Sequence, residues 1–289
     1  MEIIKGTGVA LITPFNEDLS IDYVGLEKLI NYQIEGGIDY LVLMGTTGES
    51  AVLSKEEKQA IIAFCIKINN GLLPIVLGIG GNNTLALVEE IKQTNFKGVD
   101  AILSVSPCYN KPTQEGIYQH YKMIAQVCPL PIILYNVPGR TASNMEAETT
   151  LRLANDFKNI VSVKEASGDM YQIMKIIKNK PSNFLVLSGD DGLTLPMIYM
   201  GAEGVVSVIG QSHPKEYSDM VSFGMSGNNN IANQLHYKLY DFYGPFYAEG
   251  NPTGVKACLE LLGICKSFVR PPLVGASDAI KKELKSLLK

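Results

Sequence analysis

The sequence predicts an α/β fold, a (β/α)8 TIM barrel with a C-terminal helical extension. Three observations carry that prediction. Short, almost continuously apolar runs recur along the chain, each is followed by a longer stretch with helical spacing, and eight such runs occur before the alternation stops. Runs rich in Val, Ile and Leu suit parallel strands buried on both faces, and regular alternation of strand and helix is the pattern of βα units. An open, doubly wound sheet is the competing arrangement. The first βα turn lacks GxGxxG, however, and eight evenly spaced units favour closure.

The first run, GVALITP (8–14), leads into DYVGLEKLINYQIEGG, where apolar residues return every three or four positions and glycine ends the segment. YLVLMG (40–45) precedes SKEEKQAIIAFCIKINNG, with the same spacing and the same stop. PIVLGIG (74–80), AILSVS (101–106), PIILYN (131–136), IVSVKE (160–165), FLVLSG (184–189) and GVVSVI (204–209) complete the eight. Beyond them only helical segments follow, in HPKEYSDMVSFGM, NNNIANQLHYKLYDFYGPFYAEG, NPTGVKACLELLGI and SDAIKKELKSLLK. The expected division is a catalytic barrel over 1–225 and a helical extension over 226–289 packed on it.

The 289 residues are 46% hydrophobic, enough for a large core, and barrels of about 250 residues form single domains. A net charge of -4 and the lack of long basic runs give no electrostatic reason to expect nucleic acid or a membrane surface as partner. Small molecules are the expected partners. The start, MEIIKGTGVALITPF, lacks a long apolar signal core, and no apolar stretch approaches the roughly 20 residues of a spanning helix, so the expected location is cytoplasmic. The five cysteines are scattered without a CxxC pair and read as reduced thiols; the three histidines show no metal-ligand spacing.

Active sites of such barrels lie at the C-terminal ends of the strands. There the second strand runs into GTTGES, the fourth into SPCYNKP, the fifth into YNVPGRT, the sixth into Lys164 and the seventh into SGDDG. Each feature has a plain reading. Thr46 and Thr47 can cap a turn, Tyr109 and Tyr135 can pack, Arg140 can be a surface charge, and Asp190 or Asp191 can offset a helix dipole. Lys164 can bury its stem and reach water. Strand alternation places Ile160, Ser162 and Lys164 on one face and Val161 and Val163 on the other, so Ser162 and Lys164 are expected to point into the barrel.

Together these residues match one chemical need. An amine that condenses with a ketone reacts in its neutral form, which desolvation favours. Such chemistry also needs a proton shuttle, which the Tyr135 hydroxyl on the neighbouring strand can supply. Hydroxyls and backbone N–H groups at Thr46 and Thr47 suit one substrate carboxylate, and Arg140 a second.

GTTGES, YNVPGRT and VKEASGD, in that order and one at each strand end, resemble the pyruvate-dependent Schiff-base aldolase family, which includes dihydrodipicolinate synthases and N-acetylneuraminate lyases. The resemblance covers the whole chain. It implies that Lys164 forms the imine with pyruvate, that Tyr135 shuttles protons, and that Thr46 links two tyrosines in a relay whose third member, Tyr109, reaches a neighbouring subunit. It further implies that Thr47 helps bind the pyruvate carboxylate and that the backbone at Gly189 and Val206 lies close to it. Arg140 resembles the arginine of the synthase branch, which binds the carboxylate of L-aspartate 4-semialdehyde and which the sialic-acid lyases lack. The implied reaction makes 4-hydroxy-tetrahydrodipicolinate, the opening step toward diaminopimelate and lysine, with no metal or organic cofactor. A homotetramer, as a dimer of dimers, is implied as well.

The residues corresponding to the regulatory lysine site of inhibited members are Ser50, Ala51, Lys55, Lys58, Asn82, Ala86 and Cys108. A histidine, a glutamate and a tyrosine of the inhibited pattern are replaced here by Lys55, Ala86 and Cys108. An extra ammonium faces the ligand's own and the glutamate is missing, so weak or absent lysine feedback is expected. The alternatives are an aldolase acting on a sugar acid, such as N-acetylneuraminate or a 2-keto-3-deoxy acid, and a non-catalytic pyruvate-binding barrel.

Overall fold

Eight short strands follow one another round a cylinder: β1 (Gly6–Ala10), β2 (Tyr40–Leu43), β3 (Ile75–Gly78), β4 (Ala101–Val105), β5 (Ile132–Asn136), β6 (Ile160–Glu165), β7 (Leu185–Ser188) and β8 (Gly204–Ser207). Every neighbouring pair is parallel, and β8 pairs with β1 to close the barrel. All eight expected strands are present in this computed structural model, which describes residues 2–289. The first differs in its bounds. It begins at Gly6 and ends at Ala10; Leu11 still donates its N–H to the Val42 carbonyl at 3.0 Å, and from Ile12 the chain leaves the sheet, with the Ile12 N–H donating to Gln211 Oε1 at 2.8 Å instead of to a strand neighbour.

Helices α1 (Tyr23–Glu35), α2 (Lys55–Asn69), α3 (Thr84–Gln93), α4 (Gln114–Val127), α5 (Pro138–Thr141), α6 (Ala147–Asp156), α7 (Met170–Asn179), α8 (Thr194–Tyr199) and α9 (Pro214–Met225) lie between and after the strands. Local chemistry starts several of them. Ser54 and Glu57 form a reciprocal capping box on α2, and Asp22, Asn83, Thr113 and Asp169 each accept a first-turn N–H of their helix. Then come α10 (Asn229–Tyr247), α11 (Thr253–Leu261) and α12 (Asp278–Leu287). Among the described residues no helix is long and apolar enough to cross a membrane.

Two apolar layers result. Val9, Leu41, Ile102, Leu134 and Val186 face outward into the helices, while Tyr40, Val42, Val76, Leu103, Ile133 and Leu187 fill the cylinder. Gly8 shows how tightly that interior is filled. A Cβ there would lie 2.1 Å from the Tyr40 ring, whose hydroxyl donates to the Val205 carbonyl at 2.9 Å.

Strict alternation fails on β6. Ile132 pairs with Ile160 but Ile133 pairs with Ser162, so Val161 is an extra residue in a β-bulge. Ile160 therefore packs outward with Val163, and Val161 turns inward, the reverse of the simple two-residue period. Beyond the bulge the expected facing holds, with Val163 outward and Lys164 toward the interior.

Candidate active site

A cavity of about 1530 Å³ opens at the C-terminal ends of the strands and continues as a groove past Lys55 and Lys58 of α2 and Glu90 of α3. Thr46, Thr47, Tyr135, Arg140, Lys164 and Gly189 line it. The closed sheet thus brings together side chains from the ends of β2, β5, β6 and β7.

Lys164 stands directly opposite Tyr135 in the β5–β6 register. The lysine is 6% exposed, and its Nζ lies 4.3 Å from the centroid of the Tyr135 ring. Gly189 makes room for its stem. A Cβ at Gly189 would come within 2.9 Å of Lys164 Cε and 2.7 Å of Ala166 Cβ, so only glycine lets the lysine run straight along the wall. The amine rests against an aromatic face, with little exposure to bulk water, at the wall of the cavity.

The loop after β2 forms a turn of 3-10 helix at Thr46–Gly48. Thr46 is exposed at the cavity mouth and Thr47 is buried. Glu49 then adopts a left-handed conformation, φ +54°, uncommon for a residue with a side chain. What holds it comes from the far end of the chain. Lys256 Nζ donates to Glu49 Oε1 at 2.5 Å and Arg270 N to Glu49 Oε2 at 2.9 Å, with both ionic side chains essentially inaccessible to water. Arg270 also grips Glu57 and the Leu19 carbonyl, and the Phe15 ring lies under both cations. Asn251, before α11, donates from Nδ2 to Thr47 Oγ1 at 2.9 Å.

Arg140 sits in the one-turn helix α5, begun by Pro138. It is exposed, pairs with no carboxylate among the described residues, and faces the cavity beside Tyr247. Tyr109 does not join the others. It is 91% exposed, in a left-handed conformation with φ +63°, and is not part of the cavity wall. Val206 lies in the packed interior of the barrel, while Val208 on the same chain end reaches the cavity.

The SGDDG segment divides its labour. Asp190 Oδ1 accepts from the N–H groups of Gly192 and Leu193, a turn-capping role, and burial pushes its carboxyl above the ordinary range. Asp191 is a cross-link instead. Its carboxylate accepts from the Ser207 hydroxyl at 2.7 Å, the Ile209 N–H at 2.9 Å and the Tyr247 hydroxyl at 2.7 Å, joining the ends of β7 and β8 to α10.

Sequence reasoning missed Asn251, Lys256 and Tyr247. NPTGVKACLELLGI reads only as a helix and its start, and the one local signal is the Asn-Pro turn before it. Nothing in that segment says that its polar residues meet GTTGES.

Residues 4–289 match the Dihydrodipicolinate synthetase family. The chain is 55% identical over 284 residues to the 4-hydroxy-tetrahydrodipicolinate synthase of Flavobacterium psychrophilum, covering 98% of this chain and 97% of that one. Among solved structures, a dihydrodipicolinate synthase from Thermotoga maritima superposes with a TM-score of 0.96 at 38% identity, covering 99% of this chain and 98% of that one. The chloride-inhibited dihydrodipicolinate synthase from Acinetobacter baumannii, solved in complex with pyruvate, gives a TM-score of 0.94 at 38% identity over 99% and 98% of the two chains. A match that spans the barrel and the helices after it, together with a buried lysine at the end of β6, makes this chain a member of the Dihydrodipicolinate synthetase family.

Proposed function

We propose that the protein condenses pyruvate with L-aspartate 4-semialdehyde through an imine on Lys164, giving 4-hydroxy-tetrahydrodipicolinate and one water. The observation that carries this reading is the shielded Lys164 amine, 4.3 Å from the Tyr135 ring centroid at the wall of the cavity. Lys164 Nζ adds to the keto carbon of pyruvate and water leaves. The iminium is the electron sink that lets the adjacent methyl lose a proton. The resulting enamine carbon attacks the aldehyde, and the amino group of the second substrate then displaces lysine as the ring closes.

In this reading Tyr135 moves the protons, Thr47 and the neighbouring backbone N–H groups hold the pyruvate carboxylate, and Gly189 and Val206 offer backbone contacts. Arg140, which pairs with no carboxylate among the described residues, holds the second substrate's carboxylate. Thr46 relays to a Tyr109 supplied by a neighbouring subunit, and the near-complete exposure of Tyr109 supports that role. The active form is then an oligomer, a tetramer built from two dimers.

Incubation with pyruvate and borohydride tests the reading. One pyruvate-derived mass located at Lys164 is the expected result, and an adduct elsewhere or none removes the proposal. Parallel assays with sugar aldehydes and with aspartate semialdehyde then decide the second substrate. For Arg140→Ala, kcat/KM for the semialdehyde is expected to fall about a hundredfold, as for loss of a hydrogen-bonded charge, with the pyruvate adduct still forming. Loss of the adduct in that variant would reassign Arg140.

Lysine feedback is expected to be weak or absent. Lys55, Lys58, Ser50 and Ala86 line the outer groove, placing two ammonium groups where a bound lysine would bring more positive charge. Asn82 spends both ends of its amide on the Cys108 backbone, at 2.8 and 2.9 Å. Initial rates measured against added lysine check this, and inhibition at sub-millimolar lysine contradicts it.

A further inference from the structure

The turn before α11 delivers Asn251 to the cavity wall, where its side chain meets Thr47. Nδ2 of Asn251 donates to Thr47 Oγ1 at 2.9 Å, and both residues line the cavity. Oδ1 of Asn251 is buried and has no partner among the described residues. A threonine hydroxyl has one proton to give and lone pairs that accept. With the amide of Asn251 on an acceptor position, the remaining proton is left for whatever occupies the cavity. A carboxylate can only accept, so a hydroxyl already accepting from an amide is set up to donate to it.

We propose that Asn251 is a positioning residue that fixes the Thr47 hydroxyl as a donor toward the ligand carboxylate, and so sets affinity for the keto acid. The inference rests on the reading that pyruvate's carboxylate is held at Thr47. Two observations separate this role from simple loop support. Asn69 and Asn82, each of which braces a loop across the chain's own backbone, spend both ends of the amide on a single residue, the N–H and C=O of Leu73 and of Cys108. Asn251 spends one end on a binding-loop hydroxyl, and its buried Oδ1 has no partner among the described residues, an arrangement costly for stability alone. The mechanical tie between the same two segments already exists, in the buried pair of Glu49 and Lys256.

A double-mutant cycle decides the matter. KM for pyruvate and kcat are measured for wild type, Asn251→Ala, Thr47→Val, the double variant and Asn251→Asp, with thermal midpoints alongside. Asn251→Ala is expected to raise KM about five- to tenfold with kcat within about twofold, the pattern of lost uniform binding. The double variant should be no worse than Thr47→Val alone, because the amide acts through that hydroxyl. Asn251→Asp should be worse than Asn251→Ala at neutral pH. Its carboxylate takes the Thr47 proton and repels the ligand's charge, and the penalty should ease as the pH falls and the carboxyl protonates. Penalties that multiply in the double variant, a loss confined to kcat, or an Asn251→Asp variant no worse than Asn251→Ala would each overturn the inference. If wild type forms no pyruvate adduct, the underlying reading fails; if it does and the penalties multiply, only the role of Asn251 fails.

Discussion

Replacing Lys164 with alanine is expected to lower turnover at least about a thousandfold, the scale on which enzymes lose activity when a covalent nucleophile is removed. The barrel should remain folded. Lys164 is 6% exposed, makes no salt bridge among the described residues, and packs against Tyr135 and the Gly189 backbone, so truncation removes a poorly hydrated amine along with its packing. Lys164→Arg separates nucleophilicity from charge. A guanidinium keeps the positive charge yet forms no imine at neutral pH, so it should be as inactive as alanine and should yield no borohydride adduct. Steady-state rates and peptide mapping check both variants. More than about a tenth of wild-type turnover in Lys164→Ala would be incompatible with covalent catalysis at this position.

The largest stability effect is expected at Lys256, far from the reacting atoms. Burial pushes its ammonium below the ordinary lysine range while Glu49 opposes that shift. The two side chains are 0% and 2% exposed, so Lys256→Met strands the Glu49 carboxylate with only the Arg270 N–H. Breaking such a buried pair costs about 3–5 kcal/mol, which for a chain of this size corresponds to a fall of about 10 °C in thermal midpoint. Pyruvate binding should weaken too, because Glu49 ends the turn formed by Thr46, Thr47 and Gly48 and is held in its left-handed conformation by that contact. Replacing both partners, as in Glu49→Gln with Lys256→Met, should recover part of the loss, since no lone charge is then buried. Calorimetry of the single and double variants checks this; a single variant within about 1 kcal/mol of wild type would mean that the pair is not what holds the loop.

The eight strands were legible because each is a local apolar run whose burial on two faces is written into its own residues. Lys164, Thr46, Thr47, Tyr135 and Arg140 were legible as a set because strand ends of such a barrel share one rim, and the cavity gathers them there. Ile160 and Val161 were misread because a bulge is a property of a strand pair: the shift arises between Ile132 and Ile133 of β5, and β6 alone carries no sign of it. A helix-dipole role is the plain reading for Asp190 or Asp191, and the cross-link at Asp191 is not legible because its partners Ser207 and Ile209 come from the next strand end and Tyr247 from α10.

By itself, then, the sequence determined the order of strands and helices, the closure of the barrel and the identity of the amine at the end of β6. These depend on periodicities within about one turn or one strand, where burial acts on neighbours. Only the tertiary structure decided how the GTTGES loop is held. Asn251, Lys256 and Arg270 reach it across about 200 residues of chain, as the 204-residue separation of Asn251 from Thr47 illustrates. Contacts at that range are made when the closed cylinder and the helices after it place remote polar groups in one dry space, where each must find a partner or bear the cost of burial.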